Sequence, residues 1–305
     1  MDYQHIIIQM LSILGIVLVG FASARRGLWA PELDRKLSVF VINVSMPALI
    51  ISSAMNDEVD FERSEIVTLL LAATLNYLLL LGMAYVVSAI WRVPPSRRGL
   101  LRFMLAFGNI SFIGYPVVDA IFGPRAVFCT SVVNIPYNLI MFTFGTSFIR
   151  GTRISAAFRP RQLLTPCIAA SLVAMTLALL RVRTPAAVAD WFHLLGDITI
   201  PCALLIIGSS LSHISVRDML GNRFVYTAAG LRLFLLPLLV MGMLRLLGVD
   251  PFITNVLVVL SAMPVATNGV IFCLQYGKDE RVMTQALFIT TVLSVVSIPL
   301  LSALF

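Results

Sequence analysis

Apolar residues in this chain come in runs of about twenty, parted by short clusters of charge, and no other feature restricts its fold so severely. A helix of about twenty residues, rising roughly 1.5 Å at each, crosses the roughly 30 Å hydrocarbon core of a bilayer. Helix is also the form in which such a segment satisfies its own backbone, as lipid requires. Composition agrees: of 305 residues, 59% are hydrophobic and 12% charged, whereas about a quarter are charged in an ordinary soluble domain. The expected fold is therefore an all-α polytopic membrane protein. That excludes a disulfide scaffold, a disordered chain and a soluble nucleic-acid binder. The net charge of +7 sits in short arginine clusters between apolar runs, with no basic face and no interleaved aromatics, so no nucleic-acid partner is expected.

Ten spans are predicted, at about 5–24, 37–55, 65–91, 100–120, 126–149, 163–180, 188–212, 224–247, 252–275 and 283–304. The first lacks a basic leader region and reads as a span rather than a signal peptide. Loops between spans are too short for a soluble domain. Of the lysines and arginines, 16 fall in the odd-numbered loops, five in the even loops and near the termini, and Arg232 within a span. Positive residues mark the cytoplasmic side, which places both termini outside.

The halves resemble each other. Asn43-Val44-Ser45-Met46-Pro47 in the second span is matched by Asp197-Ile198-Thr199-Ile200-Pro201 in the seventh, 154 residues further on. A Ser-Ser pair follows each, Ser52-Ser53 and Ser209-Ser210. Five spans per half is an odd number, so the second half enters the membrane inverted. This is the plan of many secondary transporters. The expected organisation is a first five-helix repeat over 1–150, a short cytoplasmic connector over 151–162 and a second, inverted repeat over 163–305.

The fourth member of each repeat is interrupted. Gly108-Asn109-Ile110-Ser111-Phe112-Ile113-Gly114-Tyr115-Pro116 and Ser261-Ala262-Met263-Pro264-Val265-Ala266-Thr267-Asn268-Gly269 each place Gly, Pro and Asn in mid-run. Broken spanning helices expose backbone groups that hydrocarbon tolerates only where they line a cavity. Half-helix N-termini aimed into such a cavity favour an anion. An ordinary proline kink is the plain alternative for either break alone.

The stretch from Asn109 through Gly114 and Pro116 to Gly123 resembles the Asn-x(4)-Gly-x-Pro…Gly segment of the auxin efflux carrier family, which includes plant PIN exporters and bacterial malate or malonate permeases. Met263-Pro264…Asn268, the Asn43…Pro47-Ala48-Leu49 stretch and the span from Gln285 to Phe305 also fit, so the resemblance covers nearly the whole chain. It implies a 5+5 inverted repeat with crossed broken fourth and ninth helices, of the bile-acid symporter and NhaA kind, and elevator-like alternating access for organic anions. By the same resemblance Asn109 contacts the substrate carboxylate, with Asn134 or Asn138 as the polar amide of the fifth span. The long central loop of many plant members is absent. The expected location is a bacterial inner membrane, and the expected partners are a small organic anion and the lipid bilayer, with a homodimer left open.

Charged and polar groups inside spans are costly and so are candidates for function. Substrate contact is expected from Asn109, Ile110, Tyr115 and Pro116 in the first break and Pro264, Val265, Thr267 and Asn268 in the second. Asn43 and Ser45 beside Pro47 join them, with Asn134 and Asn138. Asp119, Asp197 and Thr199 are candidates for coupling to a proton or sodium. The plainer alternatives are a helix cap for Asp197, an interfacial pair with Arg125 for Asp119, and interhelical packing bonds for the hydroxyls and amides. Arg232 is expected to make a scaffold ion pair or to snorkel, with pairing to a carboxylate or substrate as the alternative. The four cysteines, Cys129, Cys167, Cys202 and Cys273, show no ligand spacing and read as buried thiols.

No catalytic residue, metal site or cofactor is expected. HExxH, a mid-span Ser/His dyad and a P-loop are all missing, which argues against an intramembrane protease and an ATP-driven pump. The leading expectation is a secondary active transporter of carboxylates such as malate-like or auxin-like acids. An anion-conducting channel and a sodium-coupled symporter of another organic solute are the alternatives.

Overall fold

Helix occupies each of the ten apolar stretches. The computed structural model describes residues 3–55, 61–152, 165–182, 184–212, 223–278 and 280–305, and all regular structure among them is helical. The predicted connector from residue 153 on, with Arg153, Arg159 and Arg161, lies outside the described residues, as do Arg183 and Arg217. In chain order the helices are α1 Tyr3–Arg25, α2 Pro31–Phe40, α3 Met46–Ser53, α4 Arg63–Ile90, α5 Pro95–Ala106, α6 Tyr115–Phe122, α7 Pro124–Ile140 and α8 Thr146–Arg150. They continue as α9 Pro166–Leu180, α10 Ala186–Asp197, α11 Thr199–Ser212, α12 Arg223–Gly230, α13 Leu236–Leu246, α14 Pro251–Ser261, α15 Asn268–Gln275 and α16 Arg281–Ser302.

Among the described residues, six continuous helical stretches are long and apolar enough to cross a membrane: Glu32–Ser53, Arg63–Ile90, Pro124–Arg150, Ala186–Ser212, Arg223–Leu246 and Arg281–Ser302. Leu11–Arg25, Ile110–Phe122, Pro166–Leu180 and Pro251–Ser261 are shorter apolar helices. Local chemistry sets several starts. Pro251 stands first in α14, and the Asp250 carboxylate accepts from the amides of Phe252 and Ile253 at 2.9 and 3.1 Å. Thr165 caps α9 in the same way, with Pro166 first in the helix. Both pairings follow the rule that proline costs nothing where its missing N–H would be unpaired anyway.

Prolines further inside are accommodated differently. Pro47, Pro116 and Pro237 are each the second residue of a helix that follows a widened π-helical turn, Val41–Ser45, Ile110–Gly114 and Leu231–Leu235. A proline ring collides with the carbonyl four residues earlier. Here those carbonyls belong to Asn43, Phe112 and Leu233, inside the wide turns, where one extra residue relieves the clash.

The chain divides into two compact units that each draw on both halves of the sequence. The first comprises Met1–Leu70, Ser111–Ile135 and Leu164–Ser215; the second comprises Leu71–Ile110, Pro136–Leu163 and Val216–Phe305. Within the first, α1 lies along α11, and α3 packs on α9 and α10. Gly20 and Gly208 let α1 and α11 touch backbone to backbone: a Cβ on Gly20 would overlap the Leu205 carbonyl, and one on Gly208 the Val17 carbonyl. Small residues bring spanning helices together in this way where lipid supplies no hydrophobic drive. Within the second, α5 packs on α8, α13 on α14, and α12 and α15 on α16.

Candidate functional site

Two stretches of the second unit leave helix in mid-run. α5 ends at Ala106, Phe107 is extended, and helix resumes at Ile110; α14 ends at Ser261 and helix resumes at Asn268. The peptide groups released there would be costly to leave unpaired in apolar surroundings. They pair with each other. The Asn109 amide donates to the Pro264 carbonyl at 2.7 Å and the Ala266 amide to the Phe107 carbonyl at 3.1 Å, an antiparallel bridge centred on Gly108 and Val265. Side chains complete the set. The Tyr137 hydroxyl donates to the Gly108 carbonyl at 2.7 Å, and the Val265 amide donates to the Thr290 hydroxyl at 3.0 Å.

Arg232 holds two further carbonyls. Its Nη1 donates to Leu105 at 2.6 Å and its Nε to Met263 at 3.1 Å, and the side chain is 1% exposed. Leu105 lies in the last turn of α5 and Met263 just past the end of α14, so one guanidinium serves the C-terminal ends of both interrupted helices. The expected ion pair or snorkelling is thereby corrected. Arg232 is fully buried, and its partners are backbone oxygens. Sequence reasoning also missed Tyr137 and Thr290, whose positions in apolar runs carry no motif.

Two predicted substrate residues meet at this bridge. The Asn109 side chain donates from Nδ2 to the Thr267 hydroxyl at 3.0 Å. Asn109 is buried and Thr267 half-buried. Asn268 points its Nδ2 at the Met141 sulfur, 3.3 Å away, while Ile110, Pro264 and Val265 are buried around the bridge. Asn138 belongs to the same unit and is buried.

The other predicted residues belong to the first unit. Tyr115, Ser45 and Thr199 are fully buried, and their hydroxyls make no hydrogen bond among the described residues. Pro116 and Asn134 are buried as well. Asn43 is exposed and turns its amide back to the Val39 carbonyl at 2.7 Å. Asp119, half-buried on α6, lies within the electrostatic reach of Asp197. Neither carboxylate makes an ion pair among the described residues. Arg125, expected as the partner of Asp119, instead pairs with Glu65 at 3.6 Å and lies over the Phe61 ring.

Asp197 is not a cap. It ends α10, with α11 resuming at Thr199, so eleven helical residues from Ala186 precede it. Gly196 beside it is there for packing, since a Cβ would press on the Leu49 backbone of α3. Of the cysteines, Cys129, Cys167 and Cys273 are buried and Cys202 half-buried. His213 lies outside the described residues.

An all-helical chain of apolar, membrane-length helices, whose helix breaks are satisfied internally, has the character of an integral membrane transporter. It belongs to the family described as membrane transport protein, whose sequence model matches residues 5–158 and 151–302; this is the auxin efflux carrier family that the motifs resemble. An uncharacterized transporter of Methanocaldococcus jannaschii is 27% identical over 301 residues, covering 95% of this chain and 96% of its own length. A relative from Rhizobium meliloti, named "Putative malonate transporter", is 22% identical over 93% of this chain and 91% of its own. An uncharacterized transporter of Escherichia coli is 23% identical over 95% of each chain. The family and these relatives are transporters, not enzymes.

Proposed function

We propose that this protein is a secondary active transporter of small organic anions, carboxylates of the malate, malonate or auxin type, working by elevator-type alternating access. The observation that carries the reading is the bridge between the two helix interruptions at Gly108 and Val265, with the Asn109 amide and Thr267 hydroxyl beside it. A 5+5 inverted repeat of ten spans, with crossed fourth and ninth helices, accounts for the equivalent positions of these interruptions in the two sequence halves. Amides and hydroxyls next to the starts of new helices suit a carboxylate. The name of the Rhizobium meliloti relative favours a dicarboxylate within that class.

Asp119 and Asp197 are the reading's coupling groups, with Thr199 beside them. Asp119 is half-buried, lies in the field of Asp197 and has no ion-pair partner among the described residues, which suits it to carry a coupling proton. The membrane is a bacterial inner membrane with both termini outside, and the reading holds for a monomer or a homodimer alike.

The test is binding by purified protein in detergent, followed by counterflow in proteoliposomes. Malate, malonate and an indole carboxylate are compared with their uncharged amides. Saturable counterflow of a carboxylate, with no response to the amides, is expected. Flux that never saturates and shows no counterflow would place the protein among channels.

A further inference from the structure

Arg232 raises a question of charge that the carboxylate reading leaves open. Arg232 is 1% exposed and makes no ion pair among the described residues, and the phenols Tyr77 and Tyr137 lie in its field. The negative counterpart is supplied by backbone. Each helix C-terminus carries roughly half an elementary negative charge, and Arg232 bonds the carbonyls at two such ends, Leu105 near the end of α5 and Met263 beyond α14. Two half charges offset one guanidinium. Carbonyl oxygens converging at broken helix ends are also the ligands a hard cation such as sodium would take. Here a covalently attached cation already occupies them.

We propose that Arg232 is a resident cation, which neutralises the C-terminal ends of both interrupted helices and occupies the carbonyls a sodium ion would otherwise bind, making substrate binding at this bridge independent of sodium. Gly108 fits this role. A Cβ there would overlap Arg232 Nη2, so the guanidinium needs a bare backbone beside it. By cancelling the negative helix ends, Arg232 leaves the positive starts of the following helices, at Ile110 and Asn268, uncompensated. The proposal rests on the carboxylate reading for the identity of the bound solute, but not for its electrostatics.

The experiment compares wild type with Arg232→Ala and Arg232→Lys, all purified in detergent. Thermal stability is measured first, in sodium chloride and in choline chloride, and carboxylate binding second. The wild type should melt at the same temperature in both salts and bind equally in both. A melting temperature that rises with sodium would overturn the proposal. Arg232→Ala should melt lower and bind more than tenfold more weakly, and millimolar guanidinium or methylguanidinium should restore part of both losses. Urea, the neutral analogue of similar shape, should restore nothing. Equal rescue by urea, or none by guanidinium, would show that Arg232 fills space rather than carrying charge. If Arg232→Ala does not fold, Arg232→Lys against Arg232→Met decides: retention by lysine alone supports a resident charge, and equal loss refutes it. A wild type that binds no carboxylate while its stability is sodium-independent and Arg232→Ala is rescued by guanidinium would sink the carboxylate reading alone.

Discussion

The side chain of Asn109 donates to the hydroxyl of Thr267 at 3.0 Å, linking one residue from each helix interruption. An interhelical bond of this kind contributes about 0.6 kcal/mol and rarely above about 1.7 kcal/mol in a membrane protein, so its loss leaves the fold standing. Asn109→Ala should therefore weaken carboxylate binding at least about tenfold, or about 1.4 kcal/mol, with a small change in melting temperature. Isothermal titration on folded variant checks this. Unchanged affinity would remove Asn109 from the site.

Tyr137 separates a hydrogen bond from ring packing. Its hydroxyl serves the Gly108 carbonyl, while its ring lies 5.4 Å from that of Tyr77. Tyr137→Phe keeps the ring and removes one of two donors to a buried carbonyl, leaving the Ile110 amide at 3.0 Å, at an expected cost of about 0.5–1.5 kcal/mol. A melting curve in detergent measures it, and a change within error would mean that water or another donor reaches that carbonyl.

Adding one methyl group at Gly108 should be expensive. The Cβ of Gly108→Ala would overlap Arg232 Nη2 and press on the Met263 side chain at 3.1 Å. Overpacking of this sort costs about 1–3 kcal/mol. Gly82, with open space around it, is the control, since its alanine variant should be neutral or slightly stabilising.

Proton coupling makes a separate demand on the first unit. Asp119→Asn should flatten the dependence of transport rate on pH in proteoliposomes, and Asp197→Asn should shift that dependence by removing the neighbouring charge. Glu65→Asn, which breaks the half-buried pair with Arg125, should leave the profile as it is. Wild-type profiles in both aspartate variants would exclude the pair from coupling.

Much of this was legible in sequence because length and hydropathy act locally. Each apolar stretch became helix, and Gly-Asn and Met-Pro located the interruptions, since proline and glycine weaken a helix wherever they stand. Partners were harder to read. Arg232 sits alone in its run, and its acceptors are the backbone oxygens of Leu105 and Met263, which no side-chain pattern displays. Tyr137 and Thr290 escaped notice for the same reason. The cap offered as the plainer alternative for Asp197 fails because helix already precedes it from Ala186, and the missing side chain of Gly196 makes room for Leu49.

One volume, beside the bridge, is contested by two positions far apart in the chain. Arg232 Nη2 fills the space into which a side chain at Gly108 would grow. Substitutions at the two sites are consequently epistatic and ordered: a side chain at 108 costs less once 232 has shortened, with only Met263 left to give way. A lineage that exchanged its arginine for a diffusible ion would have to give up the guanidinium before the glycine.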